Sequence, residues 1–138
     1  MKIVLDTNVL LQAVSPRNPF RVIFDAVLDE KINLVVSTEI MMEYEELLYR
    51  HRAPAEAARL VQFCRLATNV LAVSPTFRFR LPYADPDDPD DQKFVDAYVA
   101  GHADYLVSND RHLAGLSAAG FPTVRVMSAE AFLALLAG

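Results

Sequence analysis

The chain has 138 residues, just over half of them apolar and about a fifth charged, which suits one ordinary globular domain over residues 1–138. No apolar run reaches the roughly 18–20 residues needed to span a bilayer, and the opening Met1–Leu5 meets Asp6 too soon for a secretory leader. The net charge of −5 argues against tight non-specific binding of nucleic acid, which normally calls for a basic surplus.

In chain order, short β-branched runs alternate with amphipathic stretches. Strands are predicted over Lys2–Asp6, Asn33–Ser37, Val70–Ser74, Tyr105–Ser108 and Thr123–Met127. Most are nearly continuous apolar runs, as expected of parallel strands covered on both faces. Helices are predicted over about Pro19–Glu30, Thr38–Arg50, Pro54–Thr68, Asp91–Gly101 and Ser128–Ala137, with a shorter turn after Asp110. This alternation predicts a three-layer α/β/α sandwich around a parallel sheet of about five strands. Pro75–Pro89 holds four prolines and opens into the run Asp85–Asp91, so it reads as an irregular loop of the kind that often carries function. Lone Cys64, beside Val61, Phe63 and Leu66, reads as a small core residue rather than a nucleophile. The absence of a leader and of paired cysteines points to the cytoplasm.

Acidic residues fall where such a sheet binds ligands, beyond the carboxyl ends of its strands. Asp6 follows Ile3-Val4-Leu5, and Asp110 follows Tyr105-Leu106-Val107 after Ser108 and Asn109. Each is equally readable as a helix cap. Asp91 starts the stripe Phe94, Val95, Tyr98 and Val99, whereas Asp90 points sideways and Asp96 outward at about 100° per residue. The acidic run as a whole also suits a helix N-terminus. Glu43 lies at the edge of the apolar stripe of its helix, with Glu39 and Glu46 as alternatives and Glu45 on the solvent side.

Carboxylates gathered on one rim repel and either take up protons or bind a hard divalent cation. Oxygen ligands without paired Cys or His favour Mg²⁺ or Mn²⁺ over Zn²⁺. His51, His102 and His112 lack metal-ligand spacing, and there is neither a glycine-rich phosphate loop nor a serine elbow.

Four segments together resemble a known family: Ile3–Leu10, Ser37–Tyr44, Asp90–Phe94 and Ala103–Asp110. In order and spacing the chain is similar to PIN domains, particularly VapC-type toxins of toxin–antitoxin pairs. The resemblance implies Asp6, Glu43, Asp91 and Asp110 as catalytic and metal-binding acids, with Asn8 and Ser108 ordering the site by hydrogen bonding. Ser108 stands where the family often has Thr, keeping the hydroxyl. The implied activity is Mg²⁺- or Mn²⁺-dependent hydrolysis of single-stranded or looped RNA by metal-activated water. Asp6 and Asp91 would be direct ligands. Arg78, Arg80, Lys93, Arg111 and His112 flank the acids and are candidates for phosphate contacts.

The implied partners are RNA and a cognate antitoxin covering the acidic groove, while apolar residues such as Met41, Met42 or Phe77, if exposed, suit contact with a second copy of the chain. Two rivals stand: a phosphatase with Asp6 as nucleophile, disfavoured because Asn8 replaces the second Asp such enzymes need, and a non-catalytic RNA- or protein-binding PIN domain.

Overall fold

The computed structural model describes residues 1–76, 91–115 and 123–138. Its five strands are β1 (Lys2–Leu5), β2 (Asn33–Val36), β3 (Val70–Ala72), β4 (Tyr105–Val107) and β5 (Val126–Met127). All pair in parallel in the order β3-β2-β1-β4-β5. The helices are α1 (Thr7–Ala13), α2 (Arg21–Leu28), α3 (Thr38–His51), α4 (Pro54–Leu66), α5 (Gln92–Ala100), α6 (Arg111–Ala114) and α7 (Ala129–Ala137). The architecture is the expected α/β/α sandwich with a five-stranded parallel sheet.

β1 is central because it carries almost nothing polar: Ile3, Val4 and Leu5 are fully buried, and so are their neighbours Leu34, Val35, Leu106 and Val107. Winding runs outward from β1 through β2 to β3, then restarts at β4 on the other side of β1. Right-handed crossovers accordingly place α5 on the face opposite the helices that link β1, β2 and β3. The reversal leaves a crevice between the chain leaving β1 and the chain leaving β4, the usual place for a ligand in such sheets.

Three sequence expectations are revised. Helix α1, which directly follows β1, is not among the predicted helices, although the cap reading of Asp6 allows for one. It spans only seven residues, too few for a helical period to stand out, yet it buries Thr7, Val9, Leu10 and Ala13. Asp96 was expected to point outward and is instead buried. Its stripe was read correctly, but the opposite side of α5 is covered too: Asp96 and Lys93 share a cleft with Ser37 and Glu39 of the α3 start and Val73 beyond β3. The last strand is shorter than predicted, Val126–Met127 only. Expectations for the proline-rich loop, including Phe77, Arg78, Arg80 and Asp90, lie outside the described residues.

Gly101 ends α5 where a Cβ would come within 2.6 Å of Val35 Cγ1, so its role is close approach of helix to sheet. The left-handed turn that closes this helix falls on His102 (φ 52°), after which Ala103 N–H returns to the Tyr98 carbonyl.

Candidate functional site

The crevice is built from the ends of β1 and β4. Asp6 continues the ladder by donating its N–H to the Val107 carbonyl at 3.0 Å, which fixes its backbone and sends its side chain onto the rim. Ser108, the corresponding residue of the neighbouring strand, donates its hydroxyl to Asp6 Oδ2 at 2.7 Å. The same Ser108 oxygen accepts the Asp110 N–H at 3.0 Å. Asp110 in turn caps α6, its Oδ1 accepting from His112 N–H at 2.8 Å. The capping role and a place on the rim are thus compatible for Asp110. Asp6, by contrast, starts α1 without a side-chain cap.

Glu43 reaches the rim from α3, whose start is fixed by Ser37 accepting the Ile40 N–H. Its Oε2 accepts from Thr7 Oγ1 at 2.5 Å and lies 3.2 Å from Lys93 Nζ. Next to it, fully buried Tyr44 donates its hydroxyl to the Leu5 carbonyl, tying α3 to the residue before Asp6. Glu46, one alternative to Glu43, is instead paired with Arg50 on the solvent side, and Glu45 is exposed as expected. Asp91 is half-buried at the N-terminal end of α5, the end from which Lys93 meets Glu43. Asn8 is exposed and lines a cleft of about 460 Å³ together with Asp6, Gln12, Asn109 and Asp110. Among the described residues its side chain makes no hydrogen bond to these acids.

Burial pushes the Asp6 carboxyl above its ordinary value. The Ser108 hydroxyl and the Thr7 N–H oppose that rise, while the negative charges of Asp110 and Glu43 add to it. Two acids from separate elements therefore act on Asp6. The Tyr44 phenol is also held well above its usual range by burial, with Cys64, Asp6 and Glu43 adding to it. Cys64 itself is pushed up to about 11 by burial, which suits an inert thiol packed beside the core.

A model of the PIN domain matches residues 2–112. The chain belongs to the PIN-domain family. The fold of this PIN domain is also similar to two solved VapBC structures. One is a chain in the crystal structure of VapBC2 from Rickettsia felis bound to a DNA fragment from their promoter. It has 14% identity and a TM-score of 0.59, over 93% of this chain and 98% of that one. The other is from VapBC-1 of nontypeable Haemophilus influenzae, with 15% identity and a TM-score of 0.61, over 94% and 99%. No curated protein matches this PIN domain.

The donors at the rim are all oxygen, and the burial that raises Asp6, together with the added repulsion of Asp110 and Glu43, is what a hard cation would offset. In that chemical sense the rim fits Mg²⁺ or Mn²⁺. Among the described residues, however, no three His, Cys, Asp or Glu side chains converge closely enough to hold a metal ion. The Oε2 atom of Glu43 is itself engaged by Thr7 and Lys93. Sequence reasoning passed over Thr7 and considered Lys93 only as a phosphate contact. The Asp-Thr-Asn opening contains Thr7, but nothing local says that it meets a glutamate 36 residues away.

Proposed function

We propose that this PIN domain is a ribonuclease that hydrolyses RNA phosphodiester bonds with Mg²⁺ or Mn²⁺, and that Asp6, Glu43, Asp91 and Asp110 form its working site. The observation that carries the reading is the buried Asp6 carboxyl, raised by burial and by two neighbouring acids at the crevice of the sheet. A carboxyl kept there at such cost is suited to a cationic ligand. When bound, the ion supplies charge neutralisation at the scissile phosphate and lowers the pKa of the attacking water.

Asp6 and Asp91 are the direct ligands in this reading, with Asp110 and Glu43 completing the negative rim. Ser108 holds Asp6 Oδ2 in one orientation and Asn8 stands at the mouth of the cleft. Single-stranded or looped RNA is the substrate, because a splayed backbone reaches a rim this small. Arg111 and His112 are exposed beside Asp110 and available to the phosphates.

Residues 1–138 act as one PIN domain in this reading, working in the cytoplasm. Among the described residues no helix is long and apolar enough to cross a membrane. The likeness to VapBC chains supports a toxin role, with an antitoxin protein as partner. A second copy of the chain would meet it through Met42, which is 64% exposed, rather than Met41, which packs against the core.

One observation favours a second reading, a non-catalytic RNA- or protein-binding domain: the described acids do not close into a three-ligand cage. Incubation with labelled single-stranded RNA and Mg²⁺ or Mn²⁺, with EDTA controls and an Asp6→Asn variant, separates the two. Metal-dependent cleavage lost in Asp6→Asn establishes the nuclease. RNA retained without cleavage, and no binding of Mn²⁺, establishes the binding module. Growth arrest on expression, relieved by a co-purifying small protein, tests the toxin role separately.

A further inference from the structure

Lys93 is an unusual presence at an acidic rim. It lies in the first turn of α5, its side chain is only 11% exposed, and its Nζ lies 3.2 Å from Glu43 Oε2. The ammonium also stands 5.4 Å from the centroid of the Phe94 ring, a cation–π distance. A nearly buried ammonium is stable only where negative charge compensates it. Glu43 supplies that charge, and Thr7 Oγ1 on the same oxygen fixes the orientation of the carboxylate. The acid that α3 contributes to the rim is therefore already neutralised by the chain itself.

We propose that Lys93 is the rim's built-in counter-ion, a positioning residue that holds Glu43 and competes with a divalent cation for it. The inference rests on the metal-dependent reading above and deepens it. Glu43 is the switchable acid of the rim: paired with Lys93 when no cation is present, and available to the site only when a divalent ion outbids the ammonium. The rim consequently binds its ion more weakly than its number of acids implies. The protein without metal is in turn spared the repulsion of a third unneutralised carboxylate beside Asp6 and Asp110.

Calorimetric titration of the purified protein with MnCl₂ tests this without reference to RNA cleavage. Lys93→Gln removes the competing charge and is expected to tighten Mn²⁺ binding roughly tenfold, the size of a unit charge a few ångströms from a divalent ion in a mostly aqueous setting. Lys93→Arg keeps the charge and should bind as the wild type does. In a Glu43→Gln background the Lys93→Gln step should bring less tightening than in the wild type, because the share of the coupling that runs through Glu43 is gone. A thermal melt confirms that each variant is folded, with Lys93→Met, which keeps an apolar stem beside Phe94, as the replacement if Lys93→Gln is not.

Unchanged or weaker binding in Lys93→Gln overturns the counter-ion role. If the wild type binds Mn²⁺ and Asp6→Asn does not, that result leaves the metal-dependent reading standing. Binding by neither the wild type nor Lys93→Gln overturns both. Binding by Lys93→Gln alone supports the competition in its strongest form.

Discussion

Asp104 and Asp6 sit at opposite ends of the same pair of strands, on backbone that is equally well paired. At the amino end, Asp104 N–H meets the Lys2 carbonyl at 2.7 Å and its Oδ2 accepts the Lys2 N–H at 2.8 Å. At the carboxyl end, Asp6 N–H meets Val107 at 3.0 Å and its Oδ2 accepts from Ser108 at 2.7 Å. Each end is braced by a tyrosine, Tyr98 donating to the Asp104 carbonyl and Tyr44 to the Leu5 carbonyl. Yet Asp104 is exposed and Asp6 is buried under two further acids. The ladder is alike at both ends. What differs is the roof: at the carboxyl end, the starts of α1 and α5 and the first half of α3 bring Thr7, Lys93 and Glu43 together.

The largest effect that would sharpen this contrast is on RNA cleavage. Asp6→Asn should lower the cleavage rate by more than about a hundredfold, exceeding what loss of a supporting residue usually costs, while Asp104→Asn leaves it unchanged. Equal losses in the two variants would remove the distinction between the ends. Ser108→Ala should follow, weakening Mn²⁺ affinity by roughly ten- to a hundredfold because Asp6 loses the donor that orients it. An affinity within twofold of wild type would show that the backbone alone orients Asp6.

The third effect is on stability against pH, measured by denaturant unfolding in EDTA. The folded pKa of Asp6 is raised above the ordinary 3.8, so the native state holds the proton more strongly than the unfolded chain. Its contribution is therefore fully present below about pH 3.8 and is lost as pH rises through the raised value. Asp6→Asn should not show that loss, so its stability relative to wild type should increase from pH 4 to neutrality. A constant difference would mean that Asp6 is not raised.

The smallest effects concern the braces. Tyr44→Phe should cost about 1–2 kcal/mol, because it removes a buried hydrogen bond to the Leu5 carbonyl. Tyr98→Phe should cost less, about 1 kcal/mol, because the two bonds of its hydroxyl, donated to the Asp104 carbonyl at 3.3 Å and accepted from Arg125 N–H at 3.2 Å, are long and only part-buried. Chemical denaturation of the pair ranks them, and the reverse ranking would place the stiffer end of the ladder at Asp104.

Much of this is legible in the sequence. The runs Ile3–Leu5, Leu34–Val36 and Tyr105–Val107 are buried strands because nothing in them tolerates water, and a parallel sheet follows from the helices between them. The match of residues 2–112 to the PIN domain agrees with the four segments that resembled it. Helix α1 escaped because two turns do not establish a period, and Asp96 was misplaced because periodicity ranks the faces of a helix without saying what covers them.

The order of apolar and polar residues thus determined the strands, the longer helices and the acids standing at strand ends, which depend on neighbours a few residues apart, and their alternation implied the parallel arrangement. Only the tertiary structure decided that Thr7, Glu43 and Lys93 would meet, that Ser108 would hold Asp6, and that two aspartates on one ladder would differ in burial. Those outcomes arise where elements distant in sequence pack against one another. Desolvation and charge depend on everything within a few ångströms in space, whatever its place in the chain.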